Sequence, residues 1–416
     1  MFELLASSEA GRHLTRLAEE HGEAFAKHAE RHDLEGSFPH ENFEALRASG
    51  FLSATIPRDY GGLGIESVQD ISIAMSRLAR GDASTAIAAN MHVSGVAVIV
   101  RLLRRAQAQG DAQGAATLEG LLAMTGGKQL ILCFPTTEMG TDLTSPMTEA
   151  TPSDGGYVIN GRKIFGTTSP SAHLFFPSVR VPRSSGDGYL TATAMVARTT
   201  PGLEVKDGWD ALGMRSSGSN DVVFTNCFVP ENQLFAIRDT YGQVSRGQAD
   251  VALFERVPLI STFMGIAEAA RDVAVQTAAK RKKGPKGKLL AERVPIQQLI
   301  AEIEIDLSVI RAMIDRLGRG ADAYLRAYPR ADAPQAESHA LLKEVQCMKY
   351  VVNRKAIDVV DRAMNVCGGG AFMRSHVLSR LYRDVRAGPF MQPFAPYEAL
   401  EFIGRVALGM EPGVDR

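Results

Sequence analysis

CGGGAFMRSHVLSRLYRDVRAG, Cys367 to Gly388, is the stretch from which the rest of the chain can be read. Its three adjacent glycines, Gly368, Gly369 and Gly370, stop the helical pattern of residues 345 to 366, because glycine adopts turns that side chains oppose. They also present bare backbone against which a large ligand can lie. Four arginines follow, Arg374, Arg380, Arg383 and Arg386, and Asp384 stands beside Arg383, where it can orient a guanidinium. Taken alone, the stretch is a helix cap followed by a solvated basic helix. Its neighbours in the sequence give it more meaning.

Outward from this turn, residues 252 to 281, 295 to 316, 335 to 366 and 398 to 408 predict four helices, enough for an up-and-down bundle. The basic run KRKKGPKGK, residues 280 to 288, separates the first two. Between Leu130 and Leu234 the texture changes to short alternating runs rich in Val, Ile, Phe and Thr, punctuated by Asp-Gly-Gly and Asn-Gly. That spacing predicts a compact β domain. Gly156 to Ile164 reads as two strand pieces turning at Asn160-Gly161, with Tyr157 and Ile159 on one face.

Before Leu130 the pattern is helical again. Val68 to Arg80 and Ala83 to Leu103 are apolar on more than one face and are expected to be buried. His92, inside the second, reads more readily as a satisfied core histidine than as a ligand. Helices, then strands, then a bundle make three domains more economical than one layered system. The expected divisions are an α-helical domain at 1 to 128, a central β domain at 129 to 238 and a C-terminal bundle at 239 to 416.

Composition narrows the functional classes. A chain of 416 residues is too long for one ordinary core. Lys and Arg number 46 against 47 acidic residues, which favours neither nucleic acid nor an anionic membrane as partner. The four cysteines, Cys133, Cys227, Cys347 and Cys367, lack metal-ligand spacing and suit a reduced, cytoplasmic protein. Charges at Glu3, Glu9, Arg12 and Arg16 oppose a secretory leader. Apolar runs such as Val93 to Val100 look too short to cross a bilayer.

Five motifs in order, IPRDYGGLGI (56 to 65), TTEMG (136 to 140), GYVINGRKIFGTT (156 to 168), WDALGMRSSGSNDVVF (209 to 224) and the glycine turn, resemble the acyl-CoA dehydrogenase family. The resemblance runs from about Phe38 to Ile403. It implies an α+β fold with an N-terminal α-helical domain, a central β-barrel and a C-terminal four-helix bundle, assembled as a homotetramer. The flavin, FAD ahead of FMN, would lie between barrel and bundle.

By the same resemblance, Thr136, Thr137, Phe165 and Thr167 line the flavin ring, while Arg281 with the backbone of Gly368 and Gly369 holds its pyrophosphate across a subunit interface. The family's TEPGAGSD is shortened here, so Thr141 and Asp142 inherit substrate contacts through an adjusted loop. The family's base, a glutamate shortly after Arg-Asp, falls on Gln392 when counted without a gap, and on Glu398 if the segment RAGPFMQPFAP holds an insertion. Glu255, followed by Arg256 of the substrate pocket, matches the isovaleryl-CoA branch instead.

Two functions remain open at this point, with a flavin-free structural homologue as a third possibility. One is FAD-dependent α,β-dehydrogenation of an acyl thioester, with Glu255 or Glu398 as base and an electron-transfer acceptor. The other is a monooxygenase on the same scaffold that uses reduced flavin and O2. The sequence favours the first, with Glu255 as its base.

Overall fold

The computed structural model describes residues 3–128, 130–141, 144–184, 187–239, 241, 248–284, 287–330, 332–391 and 394–412. Helices α1 (Glu9–Phe25), α2 (Ala29–Glu35), α3 (His40–Ala48), α4 (Val68–Gly81), α5 (Ala83–Gln109) and α6 (Ala112–Lys128) come first. Strands β1 (Leu132–Cys133), β2 (Glu149–Ser153), β3 (Gly156–Gly166), β4 (Leu174–Phe175), β5 (Ser178–Pro182), β6 (Tyr189–Ala194), β7 (Val196–Ala197), β8 (Leu203–Lys206), β9 (Asn220–Pro230) and β10 (Leu234–Arg238) follow. The C-terminal part holds α7 (Gln248–Lys280), the short strands β11 (Lys282–Lys283) and β12 (Lys288–Leu289), α8 (Val294–Ala327), α9 (Gln335–Cys367), α10 (Val377–Val385) and α11 (Pro396–Ala407). The expected succession of helices, strands and bundle is what the chain forms.

Asp82 ends α4 and starts α5, its carboxylate accepting from the Ser84 backbone N–H, so two buried helices join without a loop. At 27 residues α5 is long and apolar enough to span a bilayer, which corrects the expectation drawn from Val93 to Val100. Yet 83% of its most apolar window is buried inside the protein, as in the core helix of a globular fold. His92 on this helix is structural. Its Nδ1 accepts from Leu132 N at 3.0 Å, so Nε2 carries the proton and donates to Leu52 O at 3.0 Å. Burial pulls the imidazole down to about 4, so it stays neutral.

The helical domain docks on the bundle through Glu268 of α7. Arg77 and Arg80 of α4 and Arg311 of α8 all reach its buried carboxylate. This anchor sets α5 alongside α7, where Asn90 Nδ2 donates to Glu255 O at 3.2 Å.

In the β domain a seven-stranded sheet, ordered β10-β6-β5-β2-β3-β9-β8, shares one core with the three-stranded sheet β1-β4-β7. The turn expected at Asn160-Gly161 does not occur. β3 runs unbroken for 11 residues, and the chain reverses earlier, at Asp154-Gly155, between β2 and β3. Gly161 marks a register shift against β9, and the Asn160 side chain is engaged across the sheet with Asn226. A bulge and a hairpin turn use the same residues, which is why sequence alone mistook one for the other.

In the bundle, α8 continues 11 residues past the expected end at Arg316, through Gly318 and Gly320. A Cβ at Gly318 would lie 3.1 Å from the Gln69 backbone, so this glycine allows a close approach to α4 and does not break the helix. α11 is a 12-residue helix, shorter than its bundle partners.

Candidate flavin and substrate site

β3 ends in strained backbone. Phe165 has φ 56° and Thr168 φ 76°, positions that a bulky or β-branched residue adopts only when its surroundings hold it there. Thr168 is held from two sides, its hydroxyl donating to Ala88 O of α5 at 2.6 Å and its N–H to Ser217 O at 3.3 Å. The consequence falls on Phe165, whose ring is half exposed and stands edge-on to Trp209, with centroids 5.9 Å apart. Thr167 between them starts a chain of hydroxyls, 2.8 Å to Ser219 Oγ and on to Ser217 Oγ at 2.7 Å.

The segment carrying Thr136 and Thr137 lies against the same strand end. Ile164 N donates to Thr137 O at 2.9 Å. Next to Thr137, Glu138 meets Lys163 at 2.8 Å, with both side chains almost wholly inside the protein. Glu138 also accepts from the N–H groups of Met147 and Thr148, so this pair ties those two residues to β3. Thr141 is engaged locally, its hydroxyl donating to Ser145 O at 2.6 Å, which leaves that proton unavailable for the substrate contact expected of it. Asp142 lies outside the described residues.

The residues expected to hold the flavin's phosphates form a second assembly. Gly368 ends α9 at φ 69°, and a Cβ added at Gly368, Gly369 or Gly370 would meet nothing within 4 Å. Arg281 Nη1 donates to Cys367 O at 2.6 Å, a cation on the last carbonyls of α9. Arg281 follows Glu255 by 26 positions, almost all on α7, so the two are separated by roughly 39 Å along the helix. Within one chain the two groups of expected site residues therefore lie far apart.

The Arg-Asp pair serves differently from the expectation that Asp384 orients Arg383. Arg383 grips Asp33 of α2 with both guanidinium nitrogens, while Asp384 accepts from Met214 N at 2.6 Å and lies 3.8 Å from Arg380. Gly213 is required there, because a Cβ would stand 2.2 Å from Arg383 O. Burial pushes the Asp384 carboxyl up to about 6, against the pull of Arg380 and the Met214 N–H. A folded pKa above the unfolded ~3.9 contributes stability that is complete below about pH 4 and lost as pH rises through 6. Asp384→Asn is expected to flatten that slope, worth on the order of 2 kcal/mol, in urea unfolding measured from pH 4 to 7. An unchanged slope would exclude Asp384 as its source.

The candidate bases lie in one neighbourhood. Glu255 and Arg256 stand 3.6 Å apart and are largely buried; burial raises the Glu255 carboxyl, and Arg256 pulls it back. Lys349 of α9 donates to Met391 O and Phe394 O, the carbonyls flanking the undescribed Gln392 and Pro393. Burial and Arg256 push its ammonium down to about 7, with Glu398 opposing. Glu398 itself is occupied. Its carboxylate accepts from Ala395 N at 2.7 Å and caps α11.

An exposed aromatic face, a hydroxyl chain and an open glycine backbone beside a cation fit a flavin's ring, polar edge and phosphates. Sequence reasoning missed Trp209, Ser217, Ser219, Lys163, Glu138 and Lys349. The first five stand inside motifs that were recognised, which was the available signal; Lys349 had none.

Domain models for the N-terminal, middle and C-terminal domains of acyl-CoA dehydrogenase match residues 11–111, 133–227 and 251–392. The chain belongs to the acyl-CoA dehydrogenase family and is a flavin-dependent oxidoreductase of that family. It is 33% identical over 408 residues to an amino sugar nitrososynthase of Streptomyces rubradiris, covering 98% of this chain and 92% of the relative. The solved nitrososynthase from Micromonospora carbonacea var. africana superposes with a TM-score of 0.87 at 31% identity, covering 97% of this chain and 98% of that one. KijD3, solved with FMN and dTDP-3-amino-2,3,6-trideoxy-4-keto-3-methyl-D-glucose, gives 0.86 at 31% identity over 98% and 95%.

Proposed function

We propose that this chain is a flavin-dependent monooxygenase that oxygenates the amino nitrogen of a nucleotide-linked amino sugar. This reading reverses the order in which the sequence ranked the two activities. The observation that carries it is likeness to amino sugar nitrososynthases at 31–33% identity along nearly the whole chain. The charged neighbourhood of Glu255, Arg256 and Lys349 supports it, since such groups suit a polar substrate better than an acyl chain.

When bound, reduced flavin supplies two electrons to O2, one oxygen atom going to the substrate nitrogen and the other leaving as water. An amine reacts through its lone pair and arrives largely protonated. Glu255, raised by burial and kept ionisable by Arg256, takes the ammonium proton. Thr167, Ser219 and Ser217 would face the polar edge of a bound ring, and Phe165 and Trp209 would supply its aromatic wall.

FMN is the proposed form, supported by the likeness to KijD3, which was solved with FMN, and by the distance along α7 that separates Arg281 and Gly368 from Glu255. If FAD is bound, Arg281 and Gly368 come from another copy, and a dimer or tetramer is required. Exposed Phe372, Met373 and Val377 beside the glycines, and Ile305 and Val309 on α8, offer apolar surface for it. The long helices α7 and α9 bury most of their large apolar side chains within the chain, with Val275 exposed and Val273, Val351, Ile357 and Met364 half-buried. A cytoplasmic location belongs to the same proposal.

Acyl-thioester dehydrogenation is the second reading, favoured by a carboxylate at Glu255. Aerobic turnover with reduced flavin, a dTDP-linked amino sugar and 18O2 decides between them. Label in a hydroxylamine or nitroso product supports N-oxygenation, and flavin oxidation with no labelled product counts against it.

A further inference from the structure

We propose that His28, His32 and Glu41 form a binding site for a divalent transition metal of the zinc class, on the face of the helical domain that carries Asp33. His28 is the residue before α2 and His32 lies four residues on, and their two rings meet edge to face. Glu41 comes from the first turn of α3. One ligand atom from each of the three falls within 4.8 Å of the others.

The rings lie close to the arrangement that a shared ion would impose, with a small inward shift needed to close on it. Two imidazoles bound tetrahedrally through nitrogens at about 2.0–2.1 Å have centroids roughly 5 Å apart; those of His28 and His32 are 5.8 Å apart and nearly perpendicular, at 77°. One nitrogen of each ring is already anchored. His32 Nδ1 meets Ser37 Oγ at 2.8 Å, and His28 Nε2 meets Asn42 Oδ1 at 2.7 Å. Such outer hydrogen bonds are how proteins orient metal-binding histidines, and they leave the second nitrogen of each ring for the ion.

A cation already stands at this place. Arg31 Nη2 lies 2.6 Å from Glu41 Oε1 and 3.0 Å from His32 Nε2, which itself is 2.8 Å from that oxygen. The guanidinium is exposed on a long stem, so it can swing into water when a metal takes the shared carboxylate oxygen. Two histidines and a carboxylate select zinc-like ions over calcium or magnesium and leave a fourth position for water.

The site has a structural reach. Asp33, next to His32, holds Arg383 of α10, and its carbonyl accepts from Arg215 Nε at 2.8 Å. A metal fixing α2 to α3 would therefore steady both segments that meet at Met214 and Asp384.

The test is titration of the EDTA-treated, full-length protein with ZnCl2 by calorimetry and with CoCl2 by visible absorption. About one equivalent of zinc per chain and cobalt bands of tetrahedral intensity are expected. His28→Gln/His32→Asn should abolish both, Glu41→Gln should weaken binding at least ~10-fold, and Arg31→Gln should tighten it. Glu41 is exposed, so its variant is informative even if the double histidine variant does not fold. Wild type without cobalt bands, or bands unchanged in Glu41→Gln, would overturn the proposal.

Discussion

Lys163→Met is expected to lower unfolding stability by about 3–5 kcal/mol and to weaken flavin binding with it. Lys163 is fully buried, reaching Ser178 Oγ at 3.1 Å and Glu138 at 2.8 Å. Burial pushes its ammonium down to about 8, with Glu138 holding it up, so at neutral pH it remains charged. Methionine keeps the volume but leaves the Glu138 carboxylate buried without its counterion. That carboxylate, next to Thr137, holds Met147 and Thr148, while Lys163 stands two residues before Phe165. Loss of the pair should therefore blur the flavin's wall as well as destabilise the domain. Urea unfolding midpoints and flavin titration check both parts. Lys163→Met/Glu138→Gln, which removes the stranded charge, should recover much of the stability. A single variant within 1 kcal/mol of wild type would show that the pair does little.

Glu255→Gln should slow N-oxygenation by about 100-fold or more, the loss typical of a missing proton acceptor, with flavin binding unchanged. The amide matches the carboxylate in size and leaves Arg256 in place. Glu398→Gln is expected to behave differently. Its carboxylate caps α11, so the change should cost about 1 kcal/mol of stability and little turnover. Single-turnover rates and thermal melts of the two variants separate the roles. If Glu398→Gln loses turnover while Glu255→Gln keeps it, the assignment of the base is reversed.

Most of the architecture was legible because it rests on local pattern. Helical spacing before Leu130, alternation up to Leu234, and helices from α7 onward each follow from periods that burial imposes on one face. The glycine turn was legible because φ at Gly368 demands glycine. What was hidden depends on partners distant in sequence. Lys163 looks like a solvated residue by its charge alone, and only the fold brings Glu138 and Ser178 to it. Asp384 lies next to Arg383 in sequence, yet its partners are Met214 and Arg380, while Arg383 turns to Asp33. Gly318 resembles a helix end until α4 is seen against it. The Glu398 carboxylate could be weighed as a base until Ala395 N was found to hold it.

The most direct measurement is anaerobic stopped-flow absorbance of the oxidised flavoprotein mixed with a panel of straight-chain, branched and aryl acyl-CoA thioesters, followed by oxygenated turnover with the amino sugar nucleotide. The account predicts a flavin spectrum that no thioester bleaches, with O2 uptake coupled to the amino sugar once reduced flavin is supplied. Rapid bleaching by any thioester without added reductant, abolished by Glu255→Gln, would contradict it and make the chain a dehydrogenase.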